Sequence, residues 1–421
     1  MRIILTCWGS YGDVFPYLAL ARGLAARGAT PVIATLPYYR DIVVKAGFEF
    51  LAVHPDLDPS DYALIARIMD PAKGSKIIVR ELVAPHVRQA FADLRAGLGD
   101  AALLVSHPLT FACRLVAEVE RLPWISVALA PSSFFSVHDF PTVPPHLTVT
   151  RLARRAQWSA RLVLAAAHRD TRDWTTPVRA LRAELGLPPT PNPLFAGQFS
   201  PYGTLALFSR VIARPQPDWP ANTTETGFPF YDEDTPLAAD LDAFLDAGEP
   251  PVVFTLGTSA SGAAGGFYQE SLEAVGRIGC RAVLVTGRDP RNRPASPLPS
   301  SVIAIDYAPH RALFARASVI VHHAGVGTLA QALRAGRPML IVPHAHDQHD
   351  NSRRARAAGV AREIDAPKYR ATRVARDLDA LLSDPSYASH ARAAAEVMAT
   401  ERGVDAACDV LLRAARVTPP R

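Results

Sequence analysis

The chain has 421 residues, 49% of them hydrophobic and 20% charged, which is typical of a soluble globular protein of two or three domains. Its formal net charge of +5 comes mostly from arginines spread along the chain, a pattern that argues against a nucleic-acid partner. The four cysteines lack CxxC spacing, and no stretch approaches 18 apolar residues. We therefore expect no disulfide framework, no zinc site, no membrane span and a reducing, cytoplasmic location.

The amino-terminal half opens with a β-α-β pattern, which is typical of a doubly wound parallel sheet. The first strand leads into the sequence GSYGDVFP, whose Pro16 suits the first turn of a helix. Strands are predicted at 2–7, 30–35, 102–106 and 124–128, and the first helix at 17–27.

Asp13 is the candidate catalytic residue of this half. It follows Gly12 in GSYGDVFP, where the glycines let a substrate approach the backbone closely. A carboxylate beside a bound hydroxyl acts as the general base that removes its proton. Because aspartate at the start of a helix is also a frequent N-cap, a structural role stays open.

Residues 132–145 are rich in phenylalanine, proline and serine and are predicted to line a cleft. Aromatic side chains here suit the floor of an apolar binding site, and the nearby histidines suit secondary acid-base roles. Each also fits an ordinary structural position. The candidates are Phe134, Phe135, Phe140, His107 and His138.

A basic amphipathic helix is predicted from Arg151 to Arg169, with Leu152, Trp158, Leu162 and Val163 as its apolar side. The expected arrangement packs that side on its own domain. Contact with a membrane surface is the alternative, because large apolar side chains beside arginines suit a lipid interface.

A proline-rich break from Arg214 to Pro220 marks a domain boundary. We predict an amino-terminal domain over 1–218, a linker over 219–235, a second domain over 236–400 and a helical segment over 401–421.

The second domain carries polar turns directly after buried strands. The predicted strand 251–256 ends at Gly257-Thr258, and the strand 319–321 ends at His322-His323. Open sheets bind ligands at the carboxyl ends of their strands, where backbone N–H groups and the positive end of a helix attract an anion. We therefore predict an anion site at these two turns. Asp347 and Gln348, which follow the next strand, 338–342, have no evident core role and are predicted to lie beside that site.

A rival interpretation is a dinucleotide site. Gly325 to Ala330 fits the GxGxxA fingerprint. No acidic residue ends the next strand, where His344 follows Pro343, and this disfavours a dehydrogenase.

Taken together, the second-half motifs resemble the nucleotide-sugar signature of family 1 glycosyltransferases. The resemblance implies that a histidine and the helix start hold a diphosphate, that the Asp-Gln pair holds sugar hydroxyls and that Tyr307 stacks on the base. Gln331 stands where plant-type members carry a ribose-binding glutamate, which is compatible with a thymidine donor. The implied donor-binding residues are Gly257, Thr258, Tyr307, Ala308, His322, His323, Gly325, Gly327, Thr328, Gln331, Asp347 and Gln348.

The loop GSYGDVFP resembles the acceptor-side loop of bacterial and sterol-type members of the same superfamily, in which the aspartate is the general base. The resemblance implies Asp13 as catalytic residue and Gly12, Phe134, Phe135 and His138 on the acceptor side. It also implies that the last helix braces the first domain.

The likeness implies the α/β GT-B architecture, with two facing Rossmann-like domains and an interdomain cleft. The expected reaction is inverting transfer of a hexose or deoxyhexose from a dTDP- or UDP-sugar, without a metal or other cofactor. Several segments look closest to the rhamnosyltransferases of rhamnolipid synthesis, which suggests a rhamnose donor and an apolar, lipid-like acceptor. A natural-product or sterol-type aglycone stays open, as do peripheral membrane contact and a non-catalytic helper role.

Overall fold

The computed structural model describes residues 1–58, 61–232, 235–295 and 297–417. They divide into two compact units. Unit 1 comprises Met1–Asp61, Ala72–Tyr231 and Glu401–Arg421, and unit 2 comprises Tyr62–Pro71 and Asp232–Thr400.

Each unit is built around one parallel sheet. The seven strands of unit 1 have the order β3-β2-β1-β4-β5-β6-β7, and the six of unit 2 have the order β10-β9-β8-β11-β12-β13. The strands are β1 (Arg2–Thr6), β2 (Thr30–Thr35), β3 (Glu49–Ala52), β4 (Ala101–Ser106), β5 (Trp124–Ala128), β6 (Thr204–Ala206), β7 (Thr223–Glu225), β8 (Val252–Thr255), β9 (Ala282–Val285), β10 (Val302–Ile305), β11 (Val319–His322), β12 (Met339–Ile341) and β13 (Ala361–Glu363).

α-Helices connect most successive strands in both units, because parallel pairing needs a crossover connection; the connections β6–β7 and β9–β10 contain none within the described residues. The α-helices are α1 (Tyr11–Ala25), α2 (Arg40–Lys45), α3 (Tyr62–Ile68), α4 (Gly74–Lys76), α5 (Val87–Ala96), α6 (Phe111–Val119), α7 (Leu147–Ala153), α8 (Gln157–Asp170), α9 (Thr176–Glu184), α10 (Ala239–Asp246), α11 (Gly257–Ala260), α12 (Phe267–Ile278), α13 (His310–Ala315), α14 (Val326–Arg334), α15 (Gln348–Ala357), α16 (Ala371–Ser383), α17 (Pro385–Ala399) and α18 (Gly403–Ala414). Short 3₁₀ turns lie at Pro37–Tyr39, Ala84–His86, Pro131–Phe134, Arg172–Thr175, Ala196–Gln198, Ser261–Ala263, Pro290–Asn292 and Ala366–Lys368, and a π-helical segment at Ile77–Val83.

The middle residues of the central strands are apolar on both sides, because helices cover both faces of a doubly wound sheet. Residues Ile3 to Leu5 of β1 and Val252 to Phe254 of β8 are fully buried. The predicted strands 30–35 and 124–128 are observed with those bounds, and the other predicted strands differ by one or two residues. The doubly wound prediction is confirmed in both units.

Three predicted helices differ from the structure. The first begins at Tyr11 and not at Tyr17, because Ser10 and Asp13 form a capping box that starts the helix six residues earlier. The basic segment 151–169 is two helices, α7 and α8, which pack against each other. The carboxy-terminal helix predicted within 401–421 is α18, which spans Gly403–Ala414, and residues 418–421 lie outside the described part of the chain.

Part of the stretch predicted as a linker is structured. Thr223–Glu225 pairs with β6 as the edge strand of the first sheet, so the chain leaves that sheet later than the proline-rich break indicates. Residues 233 and 234 of the predicted linker lie outside the described part of the chain. At the other end, α18 lies against α1, and a Cβ on Gly23 would come within 2.8 Å of Cys408 Sγ.

Each sheet has one point where the chain reverses its direction of winding. In unit 1 that point lies between β1 and β4, and in unit 2 it lies between β8 and β11. The loops after those two strands diverge to opposite faces, which opens a crevice at the carboxyl end of the sheet. The candidate residues Asp13 and His107 follow β1 and β4, and Gly257 and His323 follow β8 and β11.

Candidate active-site residues in each unit

Asp13 has a structural role at the start of α1. Its Oδ2 accepts hydrogen bonds from the backbone N–H of Ser10 at 2.7 Å and from Ser10 Oγ at 3.1 Å. Ser10 Oγ in turn accepts from the N–H of Gly12 at 3.2 Å, which completes the cap. The carboxylate is therefore held in one orientation by its own helix.

The second oxygen of the same carboxylate faces a histidine. Asp13 Oδ1 lies 3.5 Å from His107 Nε2. The backbone N–H of Leu109 donates to His107 Nδ1 at 3.1 Å, so the neutral imidazole carries its proton on Nε2, toward Asp13. The His107 side chain is buried, whereas that of Asp13 is 29% exposed. One oxygen thus anchors the helix, and the other is available for proton transfer beside a fixed N–H donor.

The predicted aromatic floor of the acceptor site is largely core. The ring of Phe134 stacks on Trp219, with ring centroids 4.0 Å apart, and on Phe199 at 5.4 Å, and it is only 8% exposed. Phe140 is buried in a small cluster beneath α7 and α8. Stacked rings therefore cover most of Phe134, and its role as an acceptor contact stays a prediction.

Of the other three predicted acceptor residues, Gly12 belongs to the cap described above, and Phe135 and His138 are more accessible than Phe134. Phe135 is half-buried against Phe195, with ring centroids 4.8 Å apart, and adopts a left-handed backbone conformation with φ 48°. His138 is exposed, and its Nδ1 lies 3.1 Å from the side-chain nitrogen of Gln157 on α8. The structure does not bring His138 into contact with Asp13.

In unit 2, the ring of His323 is enclosed by two glycines. A Cβ built on Gly257 would lie 2.8 Å from His323 Cε1 and 3.4 Å from Thr328 Oγ1. A Cβ on Gly325 would lie 3.0 Å from the same carbon. Side chains at either position would therefore collide with a ring that is buried and cannot move aside. Four of the predicted donor residues, Gly257, His323, Gly325 and Thr328, converge on this point.

The loop that follows β11 contains a strained residue. Ala324 has φ 65°, a left-handed conformation that costs a residue with a Cβ roughly 1 to 3 kcal/mol. Both backbone groups of Ala324 are held: its N–H donates to His322 Nδ1 at 3.1 Å, and its carbonyl accepts from Asn351 Nδ2 at 3.0 Å. His322 therefore shapes the loop from a fully buried position in the sheet.

The loop that follows β12 is tied to the first by the same asparagine. Asn351 Nδ2 also donates to Asp347 Oδ2 at 2.8 Å. Gln348 Oε1 accepts from the backbone N–H groups of His344 at 2.9 Å and Ala345 at 3.2 Å. Asp347 and Gln348 thus begin α15 with part of their polar capacity used to hold the loop. The sequence does not single out Asn351, whose only signal there is the i,i+4 spacing from Asp347.

The remaining predicted donor residues lie near the start of α14, after β8 or after β10. Gly325 is the N-cap of α14 and contributes no side-chain hydrogen bond to the first turn, and Gly327 is its second residue. Gln331, one turn further, has an Oε1 that is buried and accepts no hydrogen bond within the described residues. Tyr307 is 58% exposed, whereas Ala308 is buried and Thr258 is exposed on α11.

Burial favours the neutral form of His322, His323 and His344. Burial lowers the pKa of His322 to about 3 and, reinforced by the neighbouring His322, holds the pKa of His323 well below its ordinary value. Burial also lowers the pKa of His344. A neutral His323 has one N–H to donate, so the attraction for an anion bound beside it would have to come from the positive end of α14.

Comparison with known proteins identifies the family. Residues 269–407 match the model of the erythromycin biosynthesis protein CIII-like carboxy-terminal domain. The chain is 32% identical over 426 residues to O-mycaminosyltylonolide 6-deoxyallosyltransferase of Streptomyces fradiae, covering 97% of this chain and 96% of that protein. It is 28% identical over 382 residues to vancomycin aglycone glucosyltransferase of Amycolatopsis orientalis, covering 87% and 86%.

Solved structures agree on the fold. The glycosyltransferase of kitacinnamycin superposes with a TM-score of 0.76 at 21% identity, covering 98% of both chains. The glycosyltransferase VinC, solved in complex with dTDP, gives a TM-score of 0.69 at 21% identity and 99% coverage of both chains. The two sheets therefore form the GT-B fold. The chain belongs to the GT-B nucleotide-sugar glycosyltransferases of family 1, in the branch related to macrolide and glycopeptide glycosyltransferases.

Proposed function

We propose that this enzyme transfers a deoxyhexose from a dTDP-sugar to a hydroxyl group of a natural-product aglycone of the macrolide or glycopeptide type. The two relatives named above act on such aglycones according to their names, and the one from Streptomyces fradiae is named for the transfer of a 6-deoxy sugar. The VinC structure in complex with dTDP supports thymidine diphosphate as the nucleotide part of the donor.

The observation that carries the proposal is the convergence of Gly257, His323, Gly325 and Thr328 at the start of α14. A histidine N–H, a hydroxyl and the N–H groups of an uncapped helix start suit a diphosphate. The Asp347 carboxylate and the Gln348 amide on the adjoining loop suit sugar hydroxyls. Gln331, whose buried Oε1 accepts no hydrogen bond in the described chain, suits a hydroxyl of the nucleoside sugar.

The chemistry that these residues support is a single displacement. The acceptor oxygen attacks the anomeric carbon of the donor while its proton passes to Asp13 Oδ1. The bond to the nucleoside diphosphate breaks, and the leaving group departs with the electron pair. His323, Thr328 and the N–H groups of α14 stabilise the charge that gathers on it. Attack from the opposite face inverts the anomeric configuration.

His107 has a place in this mechanism as a positioning residue. Its Nε2–H faces Asp13 Oδ1 at 3.5 Å, and the N–H of Leu109 holds its tautomer. A donor in that place orients the carboxylate toward the hydroxyl. The Ser10 cap holds the other oxygen.

A lipid acceptor, as in rhamnolipid synthesis, is the second candidate, and the observations favour it less. The sequence feature that suggests it is the aromatic stretch 132–145, but Phe134 and Phe140 are buried among other core residues. Neither of the relatives named here has a lipid acceptor in its name. The apolar surface that a hydroxy-fatty chain needs is therefore not supplied by these two rings.

Two assays test the proposal. A thermal-shift panel of dTDP, UDP, GDP and ADP should show stabilisation by dTDP, since a ligand at a hundredfold excess over its Kd stabilises by about 2.7 kcal/mol. Turnover should then be measured with dTDP-deoxysugars against macrolide aglycones, glycopeptide aglycones and a series of β-hydroxy fatty acids. Glycosylation of only the fatty acids, with efficiency rising with chain length, would replace the aglycone with the lipid. Preference for a purine nucleotide would overturn the donor assignment.

A further inference from the structure

The helices α7 and α8 of unit 1 expose an unusual amount of apolar surface. Eleven large hydrophobic side chains are exposed in the described residues, and four of them lie on this pair of helices. Trp158 is 68% exposed, Leu162 62%, Leu152 47% and Val149 44%. The sequence-based expectation that this apolar side packs on its own domain is therefore wrong for Leu152, Trp158 and Leu162.

The exposed side chains form one face on each helix. Trp158 and Leu162 are one turn apart on α8, and Val149 and Leu152 are three residues apart on α7. The two helices pack against each other and cover a common small core with Ala153 and Ala160. The face opposite that core is turned outward on both helices. We call this surface, defined by Val149, Leu152, Trp158 and Leu162 with their neighbouring arginines, the α7–α8 face.

Four exposed arginines lie among these apolar residues. None of their guanidinium groups has an acidic partner among the residues that the structure describes. Some exposed arginines elsewhere on unit 1 do have an acidic partner: Arg88 pairs with Glu184, and Arg95 pairs with Glu120 at 2.6 Å. The four unpaired residues are Arg151, Arg155, Arg161 and Arg169.

An apolar face with a tryptophan, flanked by uncompensated positive charge, matches the chemistry of an anionic lipid surface. Leucine and tryptophan enter the boundary between head groups and acyl chains, and arginine binds the phosphates. In the described chain, no helix is both long enough and apolar enough to cross a membrane. We propose that the α7–α8 face binds the surface of an anionic membrane and holds the enzyme there peripherally.

The proposal is tested by co-sedimentation of the full-length protein with vesicles of phosphatidylglycerol and phosphatidylcholine, compared with vesicles of phosphatidylcholine alone. Binding should require the anionic lipid and should weaken strongly from 0.1 M to 0.5 M NaCl, because salt screens the attraction. Neutralising Arg155 and Arg161 to glutamine should weaken binding roughly fivefold for each arginine. Trp158→Ser with Leu162→Ser should abolish it. Neither pair lies among the predicted donor or acceptor residues.

A matched control is Leu382→Ser with Arg288→Glu, which alters an exposed leucine and an exposed arginine of unit 2. It should bind vesicles as the wild type does. All variants should keep the wild-type melting temperature, because they change only exposed side chains. Three results would overturn the proposal: no binding to anionic vesicles, binding that the α7–α8 variants leave unchanged, or a dimer without lipid that Trp158→Ser with Leu162→Ser dissociates. The last result would assign the face to a second copy of the chain.

Discussion

The side-chain amide of Asn351 on α15 donates to the carbonyl oxygen of Ala324, 3.0 Å away, and so joins the two loops that follow β11 and β12. Ala324 stands between His323 and Gly325 in a left-handed conformation. The orientation of His323 therefore depends on an asparagine that follows it by 28 positions and lies in another helix.

Asn351→Ala should weaken binding of a nucleoside diphosphate more than tenfold, or about 1.4 kcal/mol. The variant loses both hydrogen bonds from Nδ2 and leaves Ala324 free to relax, which displaces His323. Stability should fall by about 1 kcal/mol for each lost bond. Isothermal titration with dTDP measures the first effect and thermal denaturation the second.

The control for this variant is Asn222→Ala in unit 1. Its Nδ2 also donates two bonds to backbone carbonyls, those of Ser200 at 3.0 Å and Pro201 at 2.9 Å. It should lose stability and keep its dTDP affinity. Equal affinities of wild type and Asn351→Ala would show that the loop does not need this link.

Gly325→Ala should abolish donor binding without unfolding the protein. The added methyl group would lie 3.0 Å from His323 Cε1 and closer still to Nε2, so the buried ring must leave its position. Nucleoside diphosphate titration provides the measurement. Gly276→Ala on α12 is the matched control, because a Cβ there meets no atom within 4 Å, and it should stabilise slightly. A Gly325→Ala variant that still binds dTDP normally would remove His323 from the diphosphate site.

Asp13→Asn should lower kcat by ~10²–10⁴-fold while leaving the affinity for dTDP nearly unchanged, because the predicted donor residues all lie in unit 2. The same change also weakens the capping box, at a cost of roughly 0.5 to 2 kcal/mol. Ser10→Ala separates the two roles, because it removes the hydroxyl of the cap and keeps the carboxylate. Ser10→Ala should be less stable yet active. Equal losses of activity in both variants would assign Asp13 to capping alone.

Stability should fall as the pH drops below about 6.5, and His322 should contribute to that loss. Its pKa in the folded protein is about 3, well below the value of an unfolded histidine, so the unfolded chain binds the proton first. The contribution of His322 is complete above pH 6.5 and declines by about 1.4 kcal/mol per pH unit between the two pKa values.

His322→Asn tests this, because the amide oxygen can accept from the N–H of Ala324 and does not titrate. Thermal or urea denaturation from pH 7 to pH 5 should give a shallower slope than the wild type by that amount. Identical slopes would mean that protonation of His322 on unfolding does not contribute to the loss of stability.

Gln348→Glu should bind dTDP as the wild type does and lose affinity for the intact dTDP-sugar. A carboxylate can still accept from the N–H groups of His344 and Ala345, so the loop keeps its shape, but the amide donor to a sugar hydroxyl is gone. Gln348→Ala lacks the acceptor as well and should weaken both ligands. Titration of both variants with dTDP and with the sugar donor decides. If Gln348→Glu lowers the affinity for dTDP and for the dTDP-sugar equally, Gln348 does not contact the sugar.

The sequence by itself determined the strand and helix pattern and the position of the polar motifs along it. Buried β-branched runs such as Val319 to Val321 predict strands from local composition alone, and the carboxyl ends of parallel strands meet at one edge of a sheet. For this reason the sequence predicts candidate sites at GSYGDVFP and at the His322-His323 turn, where polar residues directly follow such strands.

Only the tertiary structure decided which side chains meet. The strand order places β1 beside β4, and this brings His107 to Asp13 across more than 90 positions. Long-range hydrogen bonds such as Asn351 to Ala324 leave no periodic trace in a sequence. The aromatic stretch 132–145 and the segment 151–169 both show that burial of apolar side chains could not be predicted from the sequence. Composition shows that a side chain is apolar but not whether other residues bury it. Other rings cover Phe134, whereas nothing in the described chain covers most of Trp158. The difference depends on where the fold places the neighbours of each residue.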